Sequence, residues 1–134
     1  MFRDPSQLTV FQLADALALS LVQGLTGKPV SPTGCMLASA AIRPALRIQE
    51  ACRRPGNAAF AEGLAKASES AQELHYLCTL AIRVGTVAAG TDDQALHLVK
   101  ALMSLRKIQR ERTVGKPDRD LPTEREPARQ AQSS

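Results

Sequence analysis

Apolar residues recur along this chain at helical spacing in four stretches, each bounded by capping or helix-breaking residues. The most regular stretch runs Phe60, Leu64, Ala67, Ala71, Leu74, Cys78 and Ala81, in alternating steps of four and three, and predicts a helix over 57–84 with a heptad seam. Ala67 and Ala71, at the middle of the seam, leave room for a close neighbour. The side carrying Glu62, Lys66, Glu69 and Glu73 reads as solvated, with Glu62 and Lys66 in the favourable i,i+4 order. Further helices are predicted over 5–26, 32–54 and 92–112. Their starts are marked by Asp4-Pro5-Ser6-Gln7, by Ser31-Pro32 or Thr33, and by Thr91-Asp92-Asp93-Gln94. Pro55-Gly56, followed by Asn57 as cap, opens the third helix. Gly27 and Gly85 stand where left-handed C-terminal caps are expected.

On the fourth helix Leu98, Val99, Ala101, Leu102 and Leu105 form an inner arc, and Lys100, Ser104, Lys107 and Glu111 share the outer one. On the second, Leu37, Ala41, Pro44, Ile48 and Ala51 form the core seam. Pro44 lies mid-helix, where it deletes a hydrogen bond and clashes one turn back, so a kink or a split near 40–44 is expected. Met36, Ile42 and Leu46 fall off that seam. Leu19 falls inside the polar stripe that Gln12, Asp15, Ser20 and Gln23 make on the first helix. A small monomer has no place to bury these four, which points to them as a subunit interface.

Composition narrows this picture. A chain of 134 residues sets one domain, placed at 1–112. Residues 113–134 are rich in Pro, Gln, Ser and charge, with four basic side chains against four acidic ones, and are expected to be a disordered polar tail. The whole formal charge of +4 therefore belongs to the helical part. Only 3% of residues are aromatic, which suits close-packed helices better than a sheet sandwich. Three scattered cysteines make no disulfide framework. The longest apolar stretch, 10–25, is interrupted by polar residues, and no signal peptide is visible, so a cytoplasmic protein without a membrane span is expected.

Catalytic groups are scarce. His75 and His97 are the two histidines; His75 and Cys78 share a face, with no second ligand pair to complete a metal site. Cys35 and Cys52 lie among apolar neighbours. No phosphate-binding glycine loop, nucleophile elbow or zinc-protease motif occurs, so neither enzyme activity nor a cofactor is expected. The basic residues are better organised. Arg43, Arg47, Glu50 and Arg54 step along one stripe of the second helix with Arg53 at its edge, and Lys100, Arg106, Lys107, Arg110 and Arg112 fill the end of the fourth. Cations one helical turn apart suit successive phosphates of RNA or DNA, with Arg43, Arg47 and Arg54 expected to carry the contact and Lys100, Lys107 and Arg110 to second it; the lack of aromatics argues against base stacking. Basic residues near a helix C-terminus also complement its dipole. The alternative is an interaction scaffold whose arginines pair with acidic groups of a partner or a neighbouring subunit.

Phe60-x3-Leu64-x2-Ala67-x2-Ser70-x2-Glu73-Leu74-x2-Leu77-x3-Ala81-x-Arg83-x-Gly85 resembles the third-helix pattern of proteins encoded in intervening sequences of bacterial large-subunit rRNA genes. Their relatives include the accessory variability determinants of diversity-generating retroelements. Weaker matches are Phe2-Arg3-Asp4, Leu25-Thr26 and Ile42-Arg43 through Ile48. The resemblance implies an all-α, up-down antiparallel four-helix bundle that assembles as a homopentamer. By way of the retroelement relatives it also implies nucleic-acid binding and contact with a reverse transcriptase. The family ends its second helix with a Pro-x-Asn-Ile-Ala-Glu-Gly run. This chain reads Gln49-Glu50-Ala51-Cys52-Arg53-Arg54-Pro55 there, so no role of that run carries over.

Overall fold

A computed structural model describes the backbone of residues 3–115 and the side chains of residues 3–111. A 3-10 turn, Pro5–Gln7, precedes five α-helical segments: α1 Thr9–Leu25, α2 Pro32–Ala41, α3 Arg43–Arg53, α4 Asn57–Arg83 and α5 Thr91–Gly115. No strand occurs among the described residues, and α2 and α3 together make one arm of a four-helix arrangement. None of the described helices is long and apolar enough to cross a membrane. The helical backbone runs on to 115, three residues past the expected end; the rest of the tail expected over 113–134 lies outside the described residues.

Local chemistry accounts for where the elements start and stop. Asp4 accepts the Ser6 N–H at 3.0 Å, as expected of a cap, but it caps a single 3-10 turn. Leu8 is then extended at φ −95° and ψ 127°, and α1 starts at Thr9 rather than at residue 5. Leu8 packs against the core from this position, and Gln12 Nε2 donates to the Ser6 carbonyl at 2.9 Å. Ser31 caps α2, its side chain accepting the Gly34 N–H at 3.0 Å. The helix expected over 32–54 divides at Ile42. Pro44 has no N–H to give the carbonyl one turn back, and it falls in the first turn of α3, where that donor is not needed. Ile42 keeps right-handed helical angles, so the arm bends without breaking direction. Asn57 is the first residue of α4 rather than its cap. At the far end of α4, Gly85 takes φ +82°. Its N–H bonds the Ile82 carbonyl at 3.1 Å, and that of Thr86 bonds Ala81 at 2.8 Å, a glycine-closed C-cap.

The arms form a closed ring of neighbours. The α2–α3 arm packs on α1 and α4, α4 packs on α5, and α5 returns to α1; the pairs α1/α4 and α3/α5 do not pack on each other. Direction follows from the ends. Arg3 N–H bonds the Cys52 carbonyl at 3.0 Å, and its guanidinium donates to Asn57 Oδ1 at 2.7 Å and stacks 3.9 Å from the centre of the Phe60 ring. The start of the chain thereby meets the end of α3 and the start of α4. At the same end, Leu8 and Val10 line a groove with Leu105 and Ile108 of α5. At the opposite end, Lys28 after α1 donates to the Thr86 carbonyl after α4 at 3.3 Å. Successive arms therefore run up and down.

The predicted seams are the core. All seven seam residues of α4 are buried, as are Leu37, Ala41, Pro44, Ile48 and Ala51 of α2–α3. Val10, Ala14, Leu17 and Leu21 come from α1 and Ala95, Leu98, Val99 and Leu102 from α5, while Ala101 and Leu105 are only partly buried. α3 and α4 come close together at Gly63. A Cβ there would stand 2.5 Å from the Ala51 Cβ and 2.8 Å from its Cα, so only glycine fits.

Candidate functional site

Of the four arginines on α3 and its C-cap, Arg43, Arg47 and Arg54 are met by carboxylates of their own chain. Arg43 Nη1 donates to Glu73 Oε1 at 2.7 Å, Arg47 Nη1 to Glu50 Oε1 at 3.2 Å, and Arg54 Nη1 to Glu62 Oε1 at 3.0 Å. Because α3 and α4 are neighbours, the charged margins of their two seams come face to face. The α4 side that reads as solvated is thus the acid that answers the arginine stripe. Glu62 turns to Arg54, not to Lys66, the partner that its i,i+4 spacing predicts. A cleft of about 560 Å³ opens between Arg43, Arg47, Lys66, Glu69, Ser70 and Glu73. Along this margin Arg43, Arg47, Arg54 and Lys66 face Glu50, Glu62, Glu69 and Glu73, four cations against four carboxylates. The stripe is therefore close to neutral as a whole. Its pairs are solvent-exposed, worth roughly 0.2–1 kcal/mol each, and an anion of higher charge can compete for the guanidinium groups. Arg53 is exposed and makes no ion pair among the described residues.

The second basic group keeps its charge. Lys100, Lys107 and Arg110 are exposed and Arg106 is half-buried on α5; none of the four makes an ion pair among the described residues. Glu111 is the single carboxylate in that half of the helix, while Asp92 and Asp93 stand at its start. Acid at the N-terminus and base toward the C-terminus both match the helix dipole. Met103, 54% exposed, lies one turn from both Lys100 and Lys107, giving this face an apolar centre that cation spacing alone does not reveal.

The four residues expected at a subunit interface are all on the surface: Leu19 and Met36 are 56% exposed, Ile42 45% and Leu46 47%. Ile42 and Leu46 each precede a stripe arginine by one position, so they lie about 100° round the helix from Arg43 and Arg47. The apolar and charged faces of this arm are therefore adjacent but distinct.

The two buried thiols, Cys52 and Cys78, are unsuited to attack. Burial raises the Cys52 thiol above its ordinary range, with Arg3 opposing and Asp4 adding a smaller effect. Burial, helped by the charge of Asp92, pushes Cys78 up to about 11. Cys35 is exposed. His75 is half-buried and His97 exposed, and no group of three or more His, Cys, Asp or Glu that could hold a metal gathers among the described residues.

Compared with known proteins, the chain matches no family model, no curated protein and no solved structure.

Proposed function

We propose that this protein is a non-catalytic, self-associating helical bundle of the cytoplasm that binds RNA or DNA through phosphate contacts. The basic face of α5 from Lys100 onward makes the primary contact and the α3 stripe a secondary one. The observation that carries the reading is the contrast between the two basic groups. Lys100, Arg106, Lys107 and Arg110 have no carboxylate partner among the described residues, whereas Arg43, Arg47 and Arg54 each have one. Unpaired cations along one helix end meet phosphates without first giving up an ion pair. Self-association is supported by Leu19, Met36, Ile42 and Leu46, each about half exposed in the single chain. Assembly as a homopentamer, the state implied by the family resemblance, repeats the α5 patch by symmetry, so weak contacts to one long polyanion add.

The test is fluorescence anisotropy at low salt with labelled single-stranded and duplex RNA and DNA. Wild type is expected to bind with little sequence preference. Lys100, Lys107 and Arg110 changed together to Glu should remove binding with helicity intact, while the same change at Arg43, Arg47 and Arg54 should weaken it less. Retention of full affinity by the α5 variant rules out this assignment. The three intrachain ion pairs favour one other reading, a protein-interaction scaffold, with a reverse transcriptase as the partner that the resemblance implies. On that reading the purified protein carries no nucleic acid and shifts none at low salt.

A further inference from the structure

Two turns close the end of the bundle away from Arg3: residues 26–31 between α1 and α2, and residues 84–90 between α4 and α5. Between them and the first turns of α2 lies a cleft of about 500 Å³. Small-molecule sites have volumes of roughly 300–1,000 Å³ and are mainly apolar with a few placed polar groups. The walls here fit that description. Leu25, Pro29, Val30 and Ala38 line the cleft, and no Asp or Glu does. Val30 is 90% exposed on the turn, an apolar side chain with nothing over it.

The charged group is Lys28, with Ser31 and Thr86 as the neutral polar residues of the lining. Its ammonium donates to the Thr86 carbonyl at 3.3 Å, which holds the side chain across the cleft, and it makes no ion pair among the described residues. An ammonium has three donors, and a neutral carbonyl takes one of them without cancelling the charge. One unneutralised cation beside an apolar wall complements an anion with an aliphatic body. A phosphate calls for several cations together, and Lys28 is the one cation lining this cleft.

We infer that the cleft between the α1–α2 and α4–α5 turns binds a small aliphatic carboxylate, its head on Lys28 and its chain on Leu25, Pro29, Val30 and Ala38. The site lies at the far end of the bundle from the C-terminal half of α5, and its occupancy does not depend on nucleic-acid binding.

Cys35 supplies the readout, because it lines the cleft and is exposed while Cys52 and Cys78 are buried. The rate at which iodoacetamide alkylates Cys35 in the full chain is measured against increasing octanoate, with octan-1-ol and inorganic phosphate as parallel probes. Octanoate should slow alkylation saturably, octan-1-ol should need a roughly tenfold higher concentration, and phosphate should have no effect. Lys28→Gln should weaken octanoate roughly tenfold and leave octan-1-ol unchanged, since only the charged head loses its partner. Ala38→Leu, which fills the wall, should weaken both, with circular dichroism confirming the helices. The proposal is overturned by any of three results: no saturable protection by octanoate, equal protection by octanoate in wild type and Lys28→Gln, or protection by phosphate at lower concentration than octanoate.

Discussion

Glu73 Oε1 lies 2.7 Å from Arg43 Nη1, so the arginine stripe of α3 is answered by α4 of the same chain. Both side chains are substantially exposed, at 41% and 53%, and the pair holds the two helices together only weakly. Removing the carboxylate alone, by Glu73→Gln, should cost less than about 1 kcal/mol in denaturant unfolding. The same change should tighten binding to an RNA duplex about twofold, because Arg43 no longer leaves an ion pair on meeting a phosphate. An unchanged or weaker affinity would mean that Arg43 does not touch the polyanion.

Gly63 carries a sharper structural demand. Gly63→Ala places a methyl 2.5 Å from the Ala51 Cβ, and neither helix can yield without disturbing the seam. Helix propensity favours the change by about 1 kcal/mol, whereas overpacking costs about 1–3 kcal/mol, so net destabilisation is expected. Ala51→Gly in the same chain should recover only part of the loss, because the Ala51 Cα itself stands 2.8 Å from the added methyl. Thermal melts of the single and double variants check both statements; a Gly63→Ala protein as stable as wild type would show that the helices do not meet here.

These two pairs mark what the sequence could and could not reveal. The α4 seam was legible because a heptad repeat records burial directly, and every one of its residues is buried. The disruption at Pro44 was legible because proline acts on its own backbone. The Arg43–Glu73 and Arg54–Glu62 pairs were not, since they depend on which helix lies beside α3, and nothing in a one-dimensional periodicity states that. Gly63 reads in the sequence as a poor helix former and explains itself only once Ala51 is seen against it. α1 starts later than the sequence predicts because Asp4-Pro5 caps a 3-10 turn as readily as an α-helix.

Cys78 gives a prediction in pH. Burial favours its neutral thiol and raises its folded pKa from 9.0 to about 11. The unfolded thiol therefore ionises first as pH rises. The stabilising contribution is complete below about pH 9 and is lost between there and about pH 11, on the order of 2–3 kcal/mol. Urea midpoints of wild type and Cys78→Ala, compared at neutral pH and near pH 10.5, isolate this group. The stability of wild type relative to the variant should fall at the higher pH; a difference independent of pH would place the thiol in contact with water.

Leu46 tests self-association without touching the charged margin. It is 47% exposed in the single chain, and an aspartate there meets solvent in a monomer but apolar surface in an oligomer. Leu46→Asp should reduce the mass seen by light scattering to one protomer and leave the helical circular dichroism unchanged. A wild-type protein that is already monomeric at micromolar concentration contradicts the interface.

The salt dependence of RNA affinity bears most directly on the proposed role of α5. For phosphate contacts, log affinity falls linearly with log salt, with a slope of roughly −0.7 to −0.9 per phosphate neutralised. Changing Lys100, Lys107 and Arg110 together to Gln should make that slope shallower by roughly 2–3 per protomer engaged. The matching change at Arg43, Arg47 and Arg54 should alter it less. A wild-type affinity insensitive to salt, or a slope that the α5 substitutions leave unchanged, would contradict the account.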